Sequence, residues 1–121
     1  MVLIIDDEQA LQEVITEILE LSDIPVLCAG SGEEGFALFA EHHGRIDAIF
    51  LDMQLPGMGG SATFNELRKV DATIPIVIMS GHAESATMAE FNGQEHLSYL
   101  AKPFTLDTLM AKVGTYVNVS H

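Results

Sequence analysis

The sequence predicts an α/β protein: a parallel five-stranded sheet in a three-layer sandwich, with helices on both faces. Three features of its 121 residues carry this. Short apolar runs alternate with amphipathic stretches five times over, the pattern of βα units joined by right-handed crossovers. The runs are solid rather than alternating, as expected of strands covered on both sides. The length supports one core and not two, so residues 1–121 read as a single domain.

Val2-Leu3-Ile4-Ile5 is the first strand, closed by Asp6-Asp7-Glu8. Leu11, Val14, Ile15, Ile18 and Leu19 then recur at three and four, predicting a helix over 8–21 with these residues as its buried stripe. Pro25 forbids its continuation, and 24–29 reads as the second strand. Ser31 with Glu34 forms a capping box for a helix containing Phe36, Leu38 and Phe39, which ends at His42-His43-Gly44. The third strand, 48–51, runs straight into Asp52. After the loop 55–60, a third helix is expected over 61–70; with Gly59-Gly60 ahead of it, Ser61 is its candidate cap. The fourth strand, 74–79, is broken by Ser80-Gly81-His82. A weak helix over 83–91 follows, with Met88 and Phe91 as its bulky anchors and Asn92-Gly93 as its end. The fifth strand, 97–101, stops at Lys102-Pro103. Thr105 caps a last helix with Leu106, Leu109, Met110, Val113 and Val117 on its buried stripe.

Composition removes several functions. Eighteen acidic against five basic residues give a net charge of −13, a field that repels polyphosphate and anionic lipid, so direct nucleic-acid or membrane binding is not expected. The single cysteine, Cys28, permits no internal disulfide and reads as a core residue; no zinc spacing occurs. No apolar run approaches a membrane span, and a reducing cytoplasm is the expected location.

In an open parallel sheet, function lies beyond the carboxyl ends of the strands. There the sequence places Asp6 and Asp7, Asp52, Ser80 and Lys102. Singly, each has an ordinary reading as a turn or helix-start residue. Together they do not: two like charges about 4 Å apart cost roughly 4 kcal/mol at an effective dielectric near 20. Three gathered carboxylates call for a cation, and Mg²⁺ suits an all-oxygen site that keeps waters for a phosphate to displace. A carboxylate beside it can attack phosphorus, with Ser80 as a neutral and Lys102 as a cationic donor to the phosphoryl oxygens.

These residues carry a resemblance. Asp6-Asp7-Glu8, Leu51-Asp52-Met53 with Leu55-Pro56-Gly57-Met58, Met79-Ser80-Gly81-His82-Ala83 and Tyr99-Leu100-Ala101-Lys102-Pro103-Phe104, in this order, resemble the response-regulator receiver domain of two-component signalling over essentially the whole chain. The resemblance implies a flavodoxin-like (βα)5 fold with strand order 2-1-3-4-5. It implies that Asp52 accepts a phosphoryl group from a phosphohistidine on a sensor histidine kinase or histidine phosphotransfer domain. Asp7, Asp52 and the backbone carbonyl of Gln54 would bind Mg²⁺ directly, and Asp6 through water. Ser80 would swing to one phosphoryl oxygen, Lys102 would pair with another, and Tyr99 would be the switch aromatic. It also implies a cis Lys102–Pro103 bond. Gln54 and His82 stand where the family varies its dephosphorylation rate. The face made by the fourth helix, fifth strand and fifth helix is expected to respond to phosphorylation and to serve a homodimer. The chain reads as a stand-alone receiver or one excised from a longer regulator or hybrid kinase, its abrupt start favouring the second.

Met53 and Met58 read as packing residues, and His42, His43 and His96 as surface or helix-end residues, with no carboxylate spaced to join them at a metal. The alternative function is a haloacid-dehalogenase-like phosphohydrolase with an aspartate nucleophile. Such enzymes carry an acid/base aspartate two residues on, where this chain has Gln54. A flavodoxin-like cofactor binder would need hydroxyl and glycine donors in the first loop, where Asp6-Asp7-Glu8 would repel a flavin phosphate. A degenerate receiver is disfavoured because no key residue is missing.

Overall fold

A computed structural model describes residues 1–91 and 94–117. The elements alternate as β1 (Val2–Ile5), α1 (Gln9–Glu20), β2 (Val26–Ala29), α2 (Gly32–His42), β3 (Ala48–Asp52), α3 (Gly59–Val70), β4 (Ile76–Ser80), α4 (Glu84–Met88), β5 (Leu97–Ala101) and α5 (Leu106–Tyr116), with a 3-10 turn over Ala89–Phe91. All strands are parallel, in the order β2-β1-β3-β4-β5. Among the described residues no helix is long and apolar enough to cross a membrane.

The solid runs acquire their meaning from the two-residue period of a strand. Leu3, Ile5, Ile49, Leu51, Ile76 and Ile78 face one layer with Phe39, Phe64, Leu67 and Phe91. Val2, Ile4, Phe50, Val77 and Met79 face the other with Ile15, Leu19, Leu109 and Val113. Every residue of β1, β3 and β4 is therefore buried, while β2 and β5, at the edges, are largely half-covered. Register aligns the strand ends: Ile5 opposes Leu51, Asp52 opposes Met79, and Ser80 opposes Ala101. The residues that follow converge on one rim.

Several boundaries differ from the sequence reading. β2 begins at Val26: Pro25 offers only its carbonyl, to Val2 N–H at 2.9 Å, and buried Ile24 bonds back to Leu19 as part of the α1 terminus. β4 begins after Pro75 and takes in Ser80. α3 starts two residues early, at Gly59, and Ser61 does not cap it: Met58 occupies the cap position without a side-chain bond. The close fit of Gly60 explains the start, since a Cβ there would lie 2.6 Å from Met53 Cα and 2.9 Å from the Asp52 carbonyl oxygen. The fourth helix is α-helical over five residues only, and its expected end at Asn92-Gly93 lies outside the described residues. Val14 and Leu106, expected in buried stripes, are 51% and 55% exposed, because the faces touching the sheet centre on Ile15 and Leu19 and on Leu109 and Val113. Cys28 is half-buried, with Sγ 3.3 Å from Thr16 Oγ1. Ser31 and Thr105 cap α2 and α5 as expected, accepting from Glu34 and Thr108 N–H. Glu34 closes its box on Gly30 N–H, one residue before the cap, at 2.6 Å.

At the end of the sheet away from that rim, Arg68 fixes two loops. Its guanidinium donates to the carbonyl oxygens of Asp71 (3.3 Å), Ile74 (2.7 Å), Glu95 (3.1 Å) and His96 (2.9 Å) and stacks 5.0 Å from the Phe64 ring. Asp71 turns the chain out of α3 by accepting from Thr73 and Ile74 N–H, and its other oxygen meets His43 at 3.1 Å, so that histidine does have a carboxylate partner. The Thr73 N–H, outweighing some burial, holds the Asp71 carboxyl down at about 2.

Candidate functional site

Asp6 extends β1 by one bond, its N–H donating to Ala29 O at 3.0 Å, and is wholly buried. Its Oδ1 accepts from Glu8 N–H at 2.8 Å, turning the chain into α1. Asp52, the last residue of β3, is 4% exposed and accepts from Gln54 N–H at 3.0 Å. One carboxylate oxygen from each of Asp6, Asp7 and Asp52 lies within 4.8 Å of the others. Lys102, delivered by β5 with its N–H on Ser80 O at 2.8 Å, spans the group: Nζ is 2.7 Å from Asp6, 3.1 Å from Asp52 and 3.5 Å from Glu8. The Lys102–Pro103 bond is cis, as the resemblance implied.

One ammonium faces four carboxylates, so the site stays strongly negative. Burial raises the Asp52 carboxyl above its usual range; the Gln54 N–H opposes this, the Asp6 charge adds to it, and Lys102 only partly counters it. Burial alone would lower the Lys102 ammonium, but its bonds to Asp6 and Asp52 reverse the sign and raise it. An excess of hard oxygen donors that one lysine fails to neutralise fits a divalent cation such as Mg²⁺. A cleft of about 520 Å³ opens on the group, lined by Asp7, Glu8, Asp52, Gln54, Gly81, His82 and Lys102. Gln54 and His82 meet across its mouth, Nε2 to Nε2, at 2.7 Å.

Ser80 is placed differently. Its side chain is 1% exposed, is not among the described residues lining the cleft, and accepts from His82 N–H at 3.0 Å and Thr87 Oγ1 at 3.2 Å. The Tyr99 hydroxyl reaches the carbonyl oxygens of Ser80, at 3.3 Å, and of His82, and so packs against the β4–α4 loop. Sequence reasoning missed Thr87. It also missed Gln12, whose amide ties the carbonyl oxygens of Asp6 (2.6 Å) and Ala29 (3.0 Å) and so fixes the end of β1. A glutamine one turn into the helix after an acidic strand end was the available, weak signal.

A parallel sheet in this order, with an acidic, lysine-bridged cleft at its carboxyl edge, defines a flavodoxin-like α/β protein with a carboxylate group that could hold a cation. Comparison with known proteins narrows the class. The response regulator receiver domain family matches over residues 2–114. Regulatory protein AtoC of Escherichia coli is 31% identical over 108 residues, 89% of this chain but 23% of its own length. Sporulation initiation phosphotransferase F of Bacillus subtilis is 26% identical over 116 residues, covering 96% of this chain and 92% of that protein. A response regulator receiver domain protein from Clostridium thermocellum superposes with a TM-score of 0.83 at 31% identity, over 97% of this chain and 93% of that one. The chain belongs to the response regulator receiver domain family. It is a phosphoacceptor module of two-component signalling, a switch rather than a turnover enzyme, and the haloacid-dehalogenase-like alternative is not supported.

Proposed function

We propose that Asp52 is the phosphoacceptor and that the chain catalyses its own phosphorylation and slow dephosphorylation. The observation carrying this is the meeting of three carboxylates from two strand ends within 4.8 Å, bridged by a lysine from a third. Asp6, Asp7, Asp52 and the Gln54 backbone carbonyl would hold Mg²⁺. When bound, the ion offsets the carboxylate charge and that of an incoming phosphoryl group.

A carboxylate oxygen of Asp52 attacks the phosphorus of a phosphohistidine. The P–N bond breaks, its electron pair goes to the imidazole, and an acyl phosphate forms. Lys102, already 3.1 Å from Asp52, transfers its hydrogen bond to a phosphoryl oxygen, and Ser80 turns to donate to another. Tyr99 follows the loop it contacts and carries the change to the face of α4, β5 and α5, which we assign to output and to homodimerisation. Hydrolysis later returns phosphate and the free carboxylate. The donor is a sensor histidine kinase or a histidine phosphotransfer domain, the setting is cytoplasmic, and residues 1–121 act as one domain. The net charge of −13 supports protein partners over nucleic acid.

Incubation with acetyl phosphate and Mg²⁺, followed by intact mass, tests the proposal. One added phosphoryl group is expected, lost on chelation and in Asp52→Asn. An adduct that persists in Asp52→Asn would overturn it.

A further inference from the structure

Building on the reading of Asp52 as acceptor, we infer that Thr87 is a positioning residue: it holds the Ser80 hydroxyl away from the phosphoryl site and couples its release to α4. The hydroxyl of Ser80 has two acceptor positions and one proton. Both acceptor positions are engaged within the β4–α4 segment, one by His82 N–H at 3.0 Å and one by Thr87 Oγ1 at 3.2 Å. Thr87 is itself 4% exposed, so the bond between the two hydroxyls is shielded from water.

Ser80 still has its own proton to donate, but the turn that brings it to a phosphoryl oxygen carries its oxygen away from both donors. The loop N–H of His82 lies beside an exposed residue and can find water; the Thr87 hydroxyl cannot do so where it stands. A buried donor left without a partner is costly, so the departure of Ser80 favours a shift of the helix carrying Thr87. That helix resists little. It is α-helical over Glu84–Met88 only, and beyond Thr87 its inward anchors are half-buried Met88 and buried Phe91, whose ring meets Phe64 edge-on at 4.8 Å. Thr87 is thus a polar tether between the end of β4 and α4, and a bond that Ser80 breaks to act is one of those that hold α4 in place.

Beryllofluoride with Mg²⁺, a stable mimic of the acyl phosphate, separates the outcomes when its occupancy is followed by fluorine NMR. Thr87→Val keeps the shape and removes the donor, and should tighten binding about fivefold, the worth of one ordinary hydrogen bond no longer competing for Ser80. Thr87→Ser, which keeps the donor, should return the affinity to that of the unsubstituted protein. In a Ser80→Ala background, Thr87→Val should change nothing. In the unsubstituted protein the Thr87 methyl resonance should shift on binding, a shift lost in Ser80→Ala; this needs no substitution at Thr87. Unchanged or weaker binding in Thr87→Val, equal effects in both backgrounds, or an unmoved Thr87 methyl would overturn the inference while leaving the acceptor reading intact. No binding by the unsubstituted protein would bring down both.

Discussion

Asp52→Asn removes a charge that the fold accommodates badly. Its carboxylate lies within 4.8 Å of those of Asp6 and Asp7; at an effective dielectric near 20 buried Asp6 costs about 3.5 kcal/mol, and exposed, water-screened Asp7 less. Lys102 at 3.1 Å returns about 5 kcal/mol. The charges come out near balance, and burial of a residue only 4% exposed, the largest influence on this carboxyl, tips the sum against the charged form. Asparagine keeps the acceptor for Gln54 N–H, and Lys102 keeps Asp6 at 2.7 Å. The variant should therefore be more stable than the parent in EDTA at neutral pH, by about 1–2 kcal/mol, or roughly 5 °C in Tm. The folded-state carboxyl is raised, so the charged form is the disfavoured one. The advantage of the variant is present above that titration and closes as pH falls through it. Mg²⁺ at ten times its Kd should add about 1.4 kcal/mol to the parent and less to the variant, drawing the two together. Urea and thermal unfolding measure all of this. A variant equal to or less stable than the parent in EDTA would refute the electrostatic account of the site.

Three further outcomes are expected. Lys102→Met should cost about 3–5 kcal/mol in urea unfolding without Mg²⁺, because Asp6 and Asp52 then face each other with no ammonium, and Mg²⁺ should restore part of it. Asp71→Asn should cost up to about 2 kcal/mol near neutrality; since the folded carboxyl titrates at about 2, the deficit is present above the unfolded value and disappears as pH falls through that range. Gly60→Ala should cost about 1–3 kcal/mol, because its Cβ would meet the backbone of Met53 and Asp52, which cannot rotate aside; an unchanged midpoint would argue against the close seating of α3.

The strands and the acidic rim were legible because each depends on residues adjacent in sequence. A run such as Val2–Ile5 must be covered on both faces, and whatever follows it must lie at the sheet's carboxyl edge, so Asp6, Asp52 and Lys102 could be placed together. The surroundings of Ser80 could not be foreseen: its hydroxyl accepts from His82 N–H and from Thr87, one more small polar residue in a stretch without apolar period. Arg68 reads as an ordinary basic residue at a helix end, yet it holds four carbonyl oxygens of two loops. Such bonds join elements whose mutual angle is fixed only by packing. Pro75 and Gly60 moved the starts of β4 and α3 for reasons that are local once the neighbouring backbone is known.

The most direct test is to locate the phosphoryl group. After phosphorylation with acetyl phosphate and Mg²⁺, borohydride reduction converts an aspartyl phosphate to homoserine, and peptide mass spectrometry reads its position. Homoserine at position 52, absent when Mg²⁺ is chelated, is the predicted result. Homoserine at position 6 or 7, or a phosphoryl group on a histidine, would contradict the account.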